Sequence, residues 1–230
     1  MPRDTLTAEQ IVRAAIQLLD EEGLDGLNMR SLGQRLNSAA TAIYWHIKTK
    51  DDLVRLAGDA IWDEVELPDP RTTNWRAAAV ALATGMHAML TRHPWLGQAF
   101  GSHLLYGPAK SRFDEHSLTV YERAGFNPDE ADRAAATVFV FVLGSTLGSA
   151  AQVSLTRRLN KNGDAEQALA ETMARATEVA QQFPRLRERL TTVPPAADYA
   201  AAPGGTFEFG LNSILDGFEA LLAIGRRGRR

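Results

Sequence analysis

The residues with most to offer a partner sit in one short run, "TAIYWHIKTK" at 41–50. Tyr44, Trp45 and His46 stand side by side, followed by Lys48 and Lys50. Tyr and His donate or accept hydrogen bonds and Trp donates one. Next to cations, such groups are suited to phosphate oxygens. Ala39, Ala40 and Ala42 keep the neighbouring surface low, so that a helix can approach closely and a methyl can touch thymine. Upstream, Arg30 is the long side chain able to make a bidentate contact to guanine, and Arg35 joins it only if it faces the same groove. Between Gly26 and Lys50 there is no Asp or Glu, whereas "DEEGLD" concentrates acids just before. The net charge of −3 therefore hides a locally basic segment. A solvated charged face accounts for the lysines but not for the rings.

Other chemistries find little support. The chain has no cysteine, which excludes disulfides and thiolate metal sites. It carries no glycine-rich phosphate loop, no G-x-S-x-G and no H-E-x-x-H. His87, His93 and His103 have neither metal spacing nor an evident orienting carboxylate, and read as packing or surface residues. No enzyme activity, cofactor or metal is expected. The N-terminal "MPRDTLTAEQ" lacks an apolar segment and carries acids, unlike a signal peptide, which favours a cytoplasmic protein.

The elements that must position the ring-bearing run are helices, and the expected fold class is all-α. Thr7 and Gln10 form a capping box for a first helix with an apolar face of Ile11, Ala15, Leu18 and Leu19, ended by Gly23. Short helices follow at about 30–36 and 41–47, separated by "NSAA". Thr49 caps a fourth, whose first turn carries Asp51 and Asp52. Two short helices joined by a tight turn behind a supporting helix make a helix-turn-helix, with the ring-bearing run on the helix that enters the major groove. The expected division is a three-helix DNA-binding domain at 1–49 and a larger helical regulatory and dimerisation domain at 50–230, with 50–65 as the linking helix. "ELPDPRTTN" at 66–74 breaks the pattern.

Beyond it, helices are expected at about 74–92, 95–103 and 109–124, and "NPDE" at 127–130 starts a long one. No charge occurs between Arg133 and Arg157, a run long enough to span a bilayer. Thr137, Ser145, Thr146, Ser149 and Gln152 dilute it, and it lacks flanking girdles, so a helix buried on all sides is the reading preferred over a membrane span. Asp164 reads as the cap of the next helix, "VPPAADYAAAPGG" as a loop, about 206–224 as the last helix and "RRGRR" as a disordered tail. Gly144 and Gly148, and the wide apolar face of the last helix, suit either an intersubunit four-helix bundle or the core of one protomer.

The segment "GLDGLNMRSLGQRLNSAATAIYWHIKTKDDLV" resembles the helix-turn-helix of the TetR family of bacterial transcriptional regulators, through G-x-x-G-L-x-x-R-x-L, "YWH" and K-x-K. More weakly, Asn74–Trp75, "AGF" at 124–126 and "FEFGLNSILDGFEALL" resemble the tetracycline-repressor branch, including its C-terminal domain. The resemblance implies a two-fold homodimer, formed through the long uncharged helix and the last helix, that binds a palindromic operator on double-stranded DNA and is released by a small molecule. It assigns DNA contacts to Met29, Arg30, Ala40, Thr41, Tyr44, Trp45, His46 and Lys50. Within that set, Arg30, Thr41 and Tyr44 are expected to face base edges, and Tyr44, Trp45, His46 and Lys50 phosphates. The chain departs from that branch where Gln and Pro of its recognition helix become Ala40 and Thr41. It departs again where drug and Mg²⁺ ligands become Leu82, Met86, Phe100 or His103, and Gly148. Without a carboxylate a metal–tetracycline inducer is not expected. An apolar or aromatic effector lined by Met86, Phe100, His103, Leu104, Tyr106, Phe113 and Phe139 fits better.

Overall fold

The structure, a computed structural model, describes residues 6–160, 165–192 and 205–228. Among these residues every regular element is helical, as expected. The chain forms two compact units. One comprises residues 1–146 and 205–230, the other residues 147–204.

In the larger unit, α1 (Ala8–Gly26) begins at the expected capping box, with the Gln10 amide on Thr7 Oγ1 at 3.2 Å and the Thr7 amide on Gln10 Oε1 at 2.9 Å. Gly23, at φ +73°, is non-helical and ends the first helical segment as expected, a second short segment continuing to Gly26 across the kink. The helix buries Ile11, Ala14, Ala15, Leu18 and Leu19 against α4 and α6. Asn28 caps α2 (Met29–Arg35) by accepting from the amides of Arg30 and Ser31. The turn to α3 (Ala40–His46) passes through Asn37 at φ +48°. Gly33 makes it tight, since a Cβ there would lie 2.7 Å from the Ser38 carbonyl oxygen. Ile43 is the one fully buried side chain of α3, which leaves the rest of the helix outward.

Thr49 caps α4 (Lys50–Ala60), accepting from the Asp52 amide at 2.9 Å. The linking element tightens into a 3₁₀ turn at Ile61–Glu64 before the prolines. Next come α5 (Trp75–Arg92), α6 (Pro94–Phe100) and α7 (Pro108–Ala124). Gly107, ahead of α7, has no side chain to cap it, and Asp59 of α4 does so instead: its carboxylate accepts from the Lys110 amide at 2.9 Å and the Ala109 amide at 3.4 Å. A side chain at Gly107 would overlap that carboxylate.

The long helix α8 (Pro128–Asn160) opens with a reciprocal Asn127–Glu130 cap. Its stretch Pro128–Gly148 is long and apolar enough to cross a membrane, at mean hydropathy 1.2. The expectation of burial on all sides is corrected: Ala131, Ala134, Val138, Val142 and Thr146 are buried, whereas Val140 is 65% exposed. The helix is thus one-sided, with an inner face that closes the larger unit. The last helix, α11 (Thr206–Gly228), runs past the expected end at 224. It inserts Leu211, Leu215 and Leu222 into the core and is tied to α5 by Arg76, which reaches Asp216 at 2.6 Å and Glu219 at 3.4 Å.

In the smaller unit α9 (Ala165–Gln181) and α10 (Pro184–Thr192) pack on each other. Along this pair Met173 and Ala180 are half-buried, while Ala176 and Phe183 are exposed. The expected cap at Asp164, residues 193–204 of the expected loop and the last two arginines lie outside the described residues.

Candidate nucleic-acid interface and ligand cavity

The outward side of α2 and α3 gathers most of the sequence-derived DNA candidates. Thr41, Tyr44, Trp45 and His46 are exposed on α3, and Trp45 is 81% exposed. Arg30 is exposed on the first turn of α2 and makes no ion pair among the described residues. With Gly33, Gln34, Asn37, Ser38 and Ala40 it lines an open groove of about 530 Å³. Met29 is half-buried and packs on the core. Arg35 is turned away: its guanidinium makes a two-pronged contact to the Glu21 carboxylate of α1, with Nη1 on Oε1 at 2.9 Å. That hydrogen-bonded guanidinium holds the Glu21 carboxyl below its ordinary pKa. The question left open by spacing is thereby answered, because Arg35 does not share the groove with Arg30.

The two lysines have intramolecular roles that spacing does not reveal. Lys48 Nζ donates to the Tyr44 carbonyl at 3.2 Å and closes the end of α3. Lys50 Nζ donates to the Leu24 carbonyl at 2.8 Å, pinning the start of α4 to the end of α1. Lys50 remains exposed at the start of α4.

Of the seven ligand candidates, Met86, Phe113 and Phe139 come together around an enclosed cavity of about 20 Å³, walled also by Leu82 and Tyr121. Burial pushes the Tyr121 phenol upward in pKa, so it stays neutral. Phe113 and Phe139 also wall an open cleft of about 310 Å³ between α7 and α8, with Lys110, Asp114, Leu118 and Asp132. Phe100 stands edge-on to Phe139 at 5.6 Å. Trp62, from the 3₁₀ turn, lies 4.7 Å from Phe113 and 6.2 Å from Phe139, centroid to centroid. The remaining three lie elsewhere on the α6–α7 connection. His103 approaches Asp51 at 3.5 Å, Leu104 is 83% exposed, and Tyr106 is 58% exposed under the Arg55 guanidinium. Trp62, Lys110 and Asp114 were not singled out from sequence. The i, i+4 spacing of Lys110 and Asp114 was visible, but only the fold brings Trp62 to them.

The reading of His93 as lacking a carboxylate is corrected. Its ring is buried, with Nδ1 2.7 Å from Asp20 Oδ1 and Nε2 3.1 Å from Glu64 Oε1. Trp95 Nε1 donates to the same Asp20 oxygen at 2.8 Å, and Arg92 pairs with Glu64. Burial pulls the imidazole pKa down, but hydrogen bonding and charge from Asp20 and Glu64 outweigh it and hold the group above its ordinary value. Among the described residues no cluster of three or more His, Cys, Asp or Glu side chains could hold a metal ion.

The family model described as "Bacterial regulatory proteins, tetR family" matches residues 11–57, and "Tetracyclin repressor-like, C-terminal domain" matches residues 67–222. An HTH-type transcriptional regulator of Saccharopolyspora erythraea is 34% identical over 88% of this chain and 78% of its own. The HTH-type transcriptional repressor DrrR1 of Streptomyces coeruleorubidus is 33% identical over 99% of this chain and 82% of its own. Among solved structures, the TetR family protein ActR of Streptomyces coelicolor in complex with actinorhodin superposes with a TM-score of 0.74 at 25% identity, covering 95% of this chain and 97% of that one.

Proposed function

The chain belongs to the TetR family of bacterial regulatory proteins and is a ligand-responsive DNA-binding repressor of the tetracycline-repressor type, and we propose that it acts as a homodimer that lays one α3 in each half of a palindromic operator. The observation that carries this reading is Trp45. A tryptophan that is 81% exposed on a seven-residue helix, flanked by Tyr44 and His46 and backed by an unpaired Arg30, has no folding role to explain it. Against DNA it has one: the rings lie along sugar and phosphate while Ala40 and Ala42 let the helix sink into the major groove. Arg30, Thr41 and Tyr44 then read base edges. Met29 and Ala40 contribute close contacts, and His46, Trp45 and Lys50 hold the backbone.

The dimer contact in this reading uses the outer faces of α8 and α11. Val140 on α8 and Phe209, Leu221 and Ile224 on α11 are each more than half exposed, beside Gly144 and Gly217, which have nothing packed over them. An effector of apolar or aromatic character occupies the region of Met86, Phe100, Phe113 and Phe139; His103, Leu104 and Tyr106 form the approach to it. Occupancy lowers operator affinity by favouring a different spacing of the two α3 helices. The protein works in the cytoplasm, where its operator is. Selection from a random-sequence DNA pool at fixed salt tests the reading. It expects an enriched palindrome whose half-sites lie about one helical turn or a multiple of it apart, and the absence of enrichment would overturn it.

A further inference from the structure

The cleft between α7 and α8 already contains a cation, supplied by the protein itself. Lys110 Nζ sits 5.0 Å from the Trp62 ring centroid and 4.9 Å from that of Phe139, and bonds Asp114 Oδ2 at 2.6 Å. Ring faces carry negative quadrupole charge, so two faces and a carboxylate around one point form a box for an ammonium group. Asp132 lines the same cleft and makes no ion pair among the described residues. The charged lining is thus one ammonium against two carboxylates, with Phe113, Leu118 and Phe139 as the apolar wall.

We infer that this cleft takes a lipophilic cation, a flat aromatic skeleton bearing a protonated amine, whose ammonium group engages Asp132 and Asp114 and competes with Lys110 for the Trp62–Phe139 box. The inference rests on the ligand-responsive reading and names the chemical class of the ligand. The volume of about 310 Å³ suits a molecule of a few fused rings. It also gives occupancy a route outward. The Lys110 amide is held by Asp59 of α4, so a ligand that moves Lys110 acts on the junction between α7 and the helix leading to the DNA-reading segment.

The test uses one tricyclic skeleton with opposite charges: 9-aminoacridine as the cation and anthracene-9-carboxylate as the anion, each titrated into the full-length protein by fluorescence. The cation is expected to bind and the anion not. Asp114→Asn and Asp132→Asn are each expected to weaken the cation about tenfold, while Lys110→Met tightens it. Circular dichroism melting of each variant separates a lost site from a lost fold, and either Asp variant suffices if the other unfolds. Tighter binding of the anion, abolished in Lys110→Met, would overturn the inference. So would no binding of either ring system, or cation binding indifferent to all three substitutions. Adding each compound to protein bound to its selected palindrome distinguishes the two readings. Release by an anionic skeleton alone keeps the repressor and sinks the cationic cleft. Cation binding with no effect on DNA keeps the cleft and sinks its regulatory role.

Discussion

His93 Nδ1 lies 2.7 Å from Asp20 Oδ1, which joins the α5–α6 junction to α1 across 73 positions of sequence. The other ring nitrogen faces Glu64, at the end of the linking element. Carboxylates only accept hydrogen bonds, so the ring satisfies both partners only as an imidazolium. Asp20 shares its oxygen with the Trp95 indole, and Glu64 is paired with Arg92. One buried cation thus fastens α1 to the α5–α6 junction and to the end of the 3₁₀ turn.

The sign of its pH dependence follows from the raised imidazole pKa. A folded-state value above the unfolded one, about 6.5, adds stability that is fully present below that pH and is lost as pH rises through the folded value. His93→Gln is therefore expected to destabilise by about 2 kcal/mol at pH 6, a fall in Tm of about 4–8 °C for a chain this long. The gap to the unsubstituted protein should narrow as pH is raised above neutrality. Thermal melts across pH check it, and a gap independent of pH would show that His93 packs there uncharged.

Arg30 and Arg35 lie five positions apart, yet only Arg30 is free to face a partner, because Arg35 is engaged by Glu21. Arg30→Ala is expected to lose about 1–3 kcal/mol of binding to the selected palindrome and to relax the base preference at one position per half-site. Arg35→Ala is expected to leave that preference unchanged and to lower thermal stability only slightly, since an exposed ion pair contributes little. Repeating the sequence selection with each variant separates the two roles. An Arg30→Ala loss that is equal on every sequence would make Arg30 a phosphate contact.

Local signals were read well from sequence, and long-range ones were not. The Thr7–Gln10 box, the Thr49 cap and the start at Asn127–Pro128 each depend on residues a few positions apart, and all appear in the fold. The helix-turn-helix was legible because its pattern of small, ring-bearing and basic residues is contiguous. The break at Gly23 was legible, but not the short helical segment that continues past it to Gly26. The contacts made by His93, Trp62 and Lys110 went unnoticed for a different reason. Their partners come from elements 29 to 73 positions away for His93, and from the 3₁₀ turn and α8 for Lys110. No periodicity encodes such meetings. The uncharged helix was expected to be buried all round because composition alone cannot separate a core face from an exposed apolar one.

Asp59 is the cap of a helix that begins 49 residues later than itself, and it replaces the side chain that Gly107 lacks. Asp59→Ala is expected to lose about 1 kcal/mol of stability, the usual worth of an N-terminal cap, and to lower Tm by about 2–4 °C. Gly107→Ala is expected to be more damaging, because its methyl group would meet the Asp59 carboxylate. The double variant should recover part of the Gly107→Ala loss, since removing the carboxylate makes room for the methyl. Strictly additive losses in melting experiments would mean that the two sites do not share this contact.

The outer stripe of α11 offers the sharpest test of association. Phe209, Ser213, Gly217, Ala220 and Ile224 follow one another at helical spacing, all exposed, on the side opposite Leu211, Leu215 and Leu222. The inner set accounts for folding of the larger unit, so the outer set is where a second copy is expected to pack. A charge on that stripe should then separate subunits without unfolding them. Gly217→Glu adds a long anion where nothing lies within 4 Å in the single chain. It is expected to leave the helical circular dichroism intact, to halve the mass seen by light scattering and to abolish binding to a full palindrome, because one α3 alone makes half of the contacts. Phe209→Lys, at one end of the same stripe, should act in the same direction. If both variants retain the mass of the unsubstituted protein, α11 does not form the contact and the association surface must be sought elsewhere.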